Sequence, residues 1–281
     1  MNTRSAFNES EIARFQPDEK VGLVATVNGD GRPHISLITS LQAIDSTHMT
    51  FGEFSHGLSK QYVRANPHIG FLLMTLDRKM WRGKAVWTRS AKEGPEYEMY
   101  NNKPMFRYNT YFGINTVHYL DLVETTDEEG LPMGAVIRSA LATKCAKGAA
   151  ARKNAGRVLN VFAEQIFNML GSLKFIAWVD DDGYPALVPV IQCQASDSGR
   201  LAFSGGAFGE DLRRIPQGKD VAVFALTMQM EDVLVRGVFN GYSRRRGVNL
   251  GTVDINWVYN SMLPMHGQVY PEAPMRAVEN F

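Results

Sequence analysis

Cysteine is nearly absent from this chain: 281 residues carry two, Cys145 and Cys193, far apart and with no Cys-x-x-Cys spacing. That excludes a disulfide scaffold and a thiolate zinc site, and a reducing, cytoplasmic setting is the expectation. No stretch of about 18 consecutive apolar residues occurs, so no membrane-spanning helix is expected. The opening residues MNTRSAFNESEIARF lack the apolar run of a secretory signal. Neither sign of charge dominates, since 30 Lys and Arg stand against 29 Asp and Glu. There is no net field to draw the chain onto nucleic acid or an anionic membrane, so neither is an expected partner. Two glycine-bearing stretches also fail as nucleotide loops. NGDGRPH lacks the third glycine and runs into a strand, and SGGAFGED has no Lys-Ser or Lys-Thr.

What is present is a repeat. The segment LVATVNGDGRPHISLITSLQAIDSTHMTFG from Leu23 lies without a gap on FIAWVDDDGYPALVPVIQCQASDSGRLAFS from Phe175. Ten of the thirty positions are identical, among them Asp30/Asp182, Gly31/Gly183, Pro33/Pro185, Gln42/Gln194 and Phe51/Phe203. Average residue usage gives about two by chance. The same offset carries through Gly57/Gly209 to IGFLLMT over VAVFALT. Arg82-Gly83 then matches Arg236-Gly237 after a two-residue slip, and NTVHYLDLVE matches GTVDINWVYN after a trimmed loop. The second half is a diverged copy of the first.

Within the first copy, alternating Val21, Leu23, Ala25 and Val27 predict a half-buried strand, Asn28-Gly29-Asp30-Gly31 a tight turn, and HISLITSLQAI the returning strand. HMTFGEF predicts a third strand, LSKQYVRAN a short helix stopped by Pro67, and IGFLLMTL and MWRGKAVWTRSA two more strands. An amphipathic helix precedes each copy, and Phe15 matches Phe167. Closely spaced strands with few long helices point to small antiparallel barrels.

This order of helix, strand, Asp-Gly turn, strand, strand, short basic helix ending in Asn-Pro, strand and strand resembles the FMN-binding split barrels of the pyridoxamine 5′-phosphate oxidase type. The resemblance covers residues 10 to 125 and, more loosely, 160 to 262. It implies a mainly β chain of two tandem six-stranded antiparallel split β-barrels with peripheral helices, packed as a pseudo-dimer. The implied division is a first barrel at 1–130, a basic helical linker at 131–160 and a second, degenerate barrel at 161–281. FMN is the implied cofactor. Ring and ribityl contacts are implied at Ser36, Leu37, Ile38 and Thr39, with Gly52 and Glu53 at the end of the third strand. Phosphate contacts are implied at Ser59 and Lys60, where a helix start offers free N–H groups beside a cation. His56, just before that helix, is either a further phosphate donor or a surface-loop histidine.

In the second copy Asp211 and Leu212 replace Ser59 and Lys60, so one cofactor per chain is expected, with Arg213 and Arg214 as the only rescue for a second site. The implied activity is an FMN-dependent oxidoreductase acting on an unidentified small-molecule substrate. The alternative is a non-redox binding module that uses the inter-barrel groove for haem, a deazaflavin or another ligand. A homodimer of the two-barrel chain is a further expectation. Residues 131–163 hold no acid and six cations, which reads as a solvated linker between the barrels, an anion-binding helix over the cofactor groove or a nucleic-acid contact. NNKPMFRYNTYFGINT, four aromatics without a counterpart in the repeat, is a candidate lid.

Overall fold

The structure is a computed structural model and describes residues 2–54, 57–107, 112–152, 156–260, 265–273 and 276–277. The chain divides into two compact units, residues 1–131 with 179–187 and residues 132–178 with 188–278. Both are built on antiparallel sheet.

The first unit runs β1 (Thr3–Arg4), α1 (Glu9–Phe15), β2 (Lys20–Val27), β3 (Pro33–Leu37), β4 (Gln42–Ala43), β5 (His48–Glu53), α2 (Leu58–Ala65), β6 (His68–Thr75), β7 (Lys79–Ala91), α3 (Pro95–Asn102), β8 (Thr116–Thr126) and β9 (Glu129–Gly130). Its sheet is ordered β3-β2-β6-β7-β8-β5-β4, so six strands of five or more residues are joined by the two-residue β4. α1 begins with a capping box in which Asn8 accepts from the Glu11 N–H and Glu11 accepts from the Asn8 N–H. Glu11 also accepts from the indole N–H of Trp81 at 2.9 Å, which ties the helix to the core. Phe15 then packs edge-on against Phe7 and Trp81 at 5.1 and 4.9 Å. Burying each such ring contributes about 2–3 kcal/mol.

The second unit holds α4 (Met133–Ala146) and α5 (Val161–Asn168), then β10 (Leu173–Val179), β11 (Pro185–Pro189), β12 (Gln194–Asp197), β13 (Arg200–Ser204), α6 (Gly209–Leu212), β14 (Asp220–Leu226), β15 (Asp232–Arg245), β16 (Val248–Asn260), β17 (Met265–Tyr270) and β18 (Arg276–Ala277). The sheet order β11-β10-β14-β15-β16-β13-β12 repeats the first strand for strand. The Asp-Gly turns repeat too. Gly31 and Gly183 take φ of 75° and 83°, and each donates its N–H to the carbonyl three residues back, at 3.0 Å. Only glycine adopts that left-handed conformation without strain. Within the stretch expected as a basic helical linker, residues 133–150 are helical, and α4 packs on β13 and β16 of the second unit.

Three expectations are corrected, two by the register and one by burial. Leu72 pairs with Arg82 and Phe224 with Leu234, so the repeat offset continues unbroken and Arg82 matches Leu234, not Arg236. Phe51 pairs with His118 and Phe203 with Gly251, so His118 matches Gly251, not Asp254. Residue identity and strand pairing part company at these positions, because the hydrogen-bond ladder is set by geometry. The trimmed loop is real: β7 and β8 are joined by residues 92–115, β15 and β16 by residues 246–247. Third, β2 is buried nearly throughout, and Val24, from the phase read as outward, lies in the cluster with Phe15, Phe51 and Trp81. Both faces of this strand are covered, which erases the polar half of the alternation.

Candidate functional site

The end of β3, the end of β5, the start of α2 and the insertion after α3 meet in the first unit. They enclose a cleft of about 350 Å³. Leu37, Ile38 and Thr39 form one wall, Ser40, Gly52 and Phe54 the floor, and Met105, Phe106, Arg107 and Ile114 the opposite wall, with Lys60 at one end.

The floor is held by a closed set of hydrogen bonds. The Gly52 N–H donates to Ser40 Oγ at 2.9 Å, and Ser40 Oγ lies 3.3 Å from the Gly52 carbonyl. Tyr100 of α3 donates its hydroxyl to the Ser40 carbonyl at 2.8 Å. Its single proton is thereby used, so Thr50 Oγ1 is the donor in the 2.9 Å contact with Tyr100. Burial pushes the Tyr100 phenol well above its ordinary range, so it stays a donor. Asn101 donates to the Ile114 carbonyl at 2.9 Å and pins the far wall. Gly52 is glycine for packing: a Cβ there would meet Ile114 Cδ1 at 2.7 Å.

Lys60 is half-buried, and its ammonium lies near the start of α2, 3.8 Å from where a Gly57 Cβ would sit. Desolvation pulls its pKa below the usual lysine range, and the charge of Glu53 opposes that. The helix start itself has no side-chain cap. Among the described residues no Asp or Glu lines the cleft, while Lys60 and Arg107 do. A desolvated cation beside uncapped helix N–H groups is matched by an anionic group of a ligand.

Beneath the floor, Glu53 and His118 are fully buried and bonded at 2.7 Å through Nε2. The indole N–H of Trp87, which can only donate, reaches His118 Nδ1 at 3.0 Å. Nδ1 is therefore the acceptor, and the neutral ring gives its Nε2 proton to Glu53. Phe51 stacks on the ring at 4.6 Å.

Of the sequence-derived residues, Leu37, Ile38, Thr39, Gly52 and Lys60 are brought together in the cleft. Ser36 and Ser59 do not line it, and Ser59 is buried in α2. Glu53 lies under the floor in the His118 pair. His56 lies outside the described residues. Sequence reading missed Ser40, Phe54, Arg107 and the His118–Trp87 pair. Arg107 stands inside the segment singled out as a lid, but Trp87 and His118 are 31 residues apart and meet only through strand pairing.

Among the described residues, no group of three or more His, Cys, Asp or Glu is placed to hold a metal, and no helix is long and apolar enough to cross a membrane. No protein-family model and no curated protein matches the chain. Solved structures similar to part of it include an FMN-binding protein from Syntrophomonas wolfei, at 15% identity and a TM-score of 0.36, covering 41% of this chain and 83% of that one. A pyridoxamine 5′-phosphate oxidase-like protein from Lactobacillus delbrueckii is 17% identical with a TM-score of 0.37, covering 45% of this chain and 100% of its own. HupZ of Group A Streptococcus is 18% identical with a TM-score of 0.36, covering 42% and 92%.

Proposed function

We propose that the chain is an FMN-binding flavoprotein of the pyridoxamine 5′-phosphate oxidase-like kind, an oxidoreductase that holds its cofactor in the cleft of the first unit. The observation that carries this reading is Lys60, a desolvated ammonium with no hydrogen bond among the described residues, at the uncapped start of α2. Lys60 would hold the FMN phosphate, and Leu37, Ile38, Thr39 and Gly52, from the end of β3 and from β5, would offer the ring system a largely apolar surface. FMN when bound supplies the electron transfer. The chain's part is to position it: Ser40 and Tyr100 lock the floor, and the buried Phe106 closes the opposite side.

Titrating the purified chain with FMN tests this. Saturable binding is expected, with flavin fluorescence changing on binding, and Lys60→Glu should weaken it by roughly ten- to a hundredfold, the worth of a charge-assisted hydrogen bond. A chain that takes up no FMN overturns the reading, and unchanged affinity in Lys60→Glu overturns the placement of the phosphate. Absorption spectra of the freshly isolated protein separate flavin from haem or a deazaflavin, because the bands of the three differ.

A further inference from the structure

The second unit has a cleft of its own, about 450 Å³, between α4 and the loop after β13. Arg138 of α4, Arg213 just beyond α6 and Tyr242 of β15 surround Ser204, Gly205 and Gly206, and among the described residues no carboxylate lines the cleft. Both arginines are exposed. Two side-chain and backbone contacts fix α4 there: the Ala207 N–H donates to Ser139 Oγ at 2.9 Å, and Ser204 Oγ donates to the Ser139 carbonyl at 3.0 Å. The glycine pair makes that approach feasible, since a Cβ at Gly206 would lie 2.3 Å from Ser139 Oγ and one at Gly205 3.4 Å from the Tyr242 ring. The Tyr242 hydroxyl is buried and has no hydrogen-bond partner among the described residues. Burial raises its pKa, and the Arg213 charge works against that rise.

We propose that this cleft is a second anion site, for a phosphate monoester whose dianion lies between Arg138 and Arg213 and accepts a hydrogen bond from Tyr242. Two guanidiniums match a dianion, where a carboxylate calls for one. Ala135, Ala142 and Val248 give the organic part an apolar wall. The repeat alignment hides this site because Asp211 and Leu212 replace Ser59 and Lys60. The cations come instead from α4 and from Arg213, elements with different chain origins. The proposal uses no residue of the first cleft and does not rest on flavin binding.

Equilibrium dialysis of the full chain with inorganic phosphate and with phenyl phosphate tests it. Lys60→Gln disables the first cleft, and Arg138→Gln with Arg213→Gln disables the second at exposed positions, with folding checked by circular dichroism. The Lys60→Gln chain is expected to keep one saturable site that prefers phenyl phosphate to phosphate and is not competed by acetate. Adding the two arginine changes should weaken that site at least tenfold, and Tyr242→Phe alone a few-fold. No saturable binding in Lys60→Gln, equal affinity after loss of both arginines, or displacement by acetate as effective as by phosphate each overturns the proposal.

Discussion

The Trp87–His118–Glu53 chain shows how one obligate donor settles the protonation of its neighbours. Because the indole N–H occupies Nδ1, the ring must carry its proton on Nε2, facing the Glu53 carboxylate. Protonating Nδ1 as well would break the bond to Trp87 inside the core. Nitrogen NMR of His118 is expected to show the Nε2–H tautomer in the native chain. Trp87→Phe should leave Nδ1 unpaired and cost about 1–3 kcal/mol in urea unfolding. Loss of the single tautomer together with that destabilisation is the expected signature, and unchanged stability would show that the bond contributes nothing. In the second unit the matching positions are Gly205, Phe239 and Gly251, by the unbroken offset for the first two and the Phe203 pairing for the third. An apolar stack of Phe203 on Phe239, 5.9 Å apart, replaces the buried polar chain.

At the scale of elements, the same glutamine does the same task in both copies with different helices. Gln42 reaches Met99 Sδ of α3 at 3.3 Å, and Gln194 donates to the Ala140 carbonyl of α4 at 2.9 Å. The first unit takes its covering helix from the long β7–β8 connection. The second, where residues 246–247 alone join the strands, takes it from the segment before its barrel. Gly251 is the other element-level adaptation, since a Cβ there would press on the Phe203 and Phe239 rings at 2.9 to 3.0 Å. Gly251→Ala is expected to destabilise by about 1–3 kcal/mol through overpacking, read as a lower urea midpoint at unchanged slope. A neutral outcome would mean that the stack yields freely.

For the whole molecule, the pH dependence of stability has a sign set by buried lysine. Lys174 is fully buried, donates to the carbonyls of Met169, Ser172 and Ile191, and is brought by desolvation from 10.5 down to about 8. Between those two values the unfolded chain holds a proton that the native chain has released, so stability rises with pH across that window and is flat below it. The rise from this one group is on the order of 3 kcal/mol. The difference in unfolding free energy between wild type and Lys174→Met, followed from pH 7 to 10.5, is expected to change in that direction. A difference independent of pH would show that Lys174 titrates normally.

The duplication, the Asp-Gly turns, the helix before each copy and the strand–helix–strand order were all legible along the chain, because each depends on neighbours a few residues apart. Leu37, Ile38, Thr39, Gly52 and Lys60 were implied by the family resemblance, and the fold brings them to one cleft. What the chain alone did not determine is which residues oppose one another across strands. Identity at Arg236-Gly237 and at Thr252-Val253 misled where the ladder shifts pairing through bulges, and no local pattern joins Trp87 to His118 or Arg138 to Arg213. Register and long-range packing place those groups, and both are properties of the folded sheet.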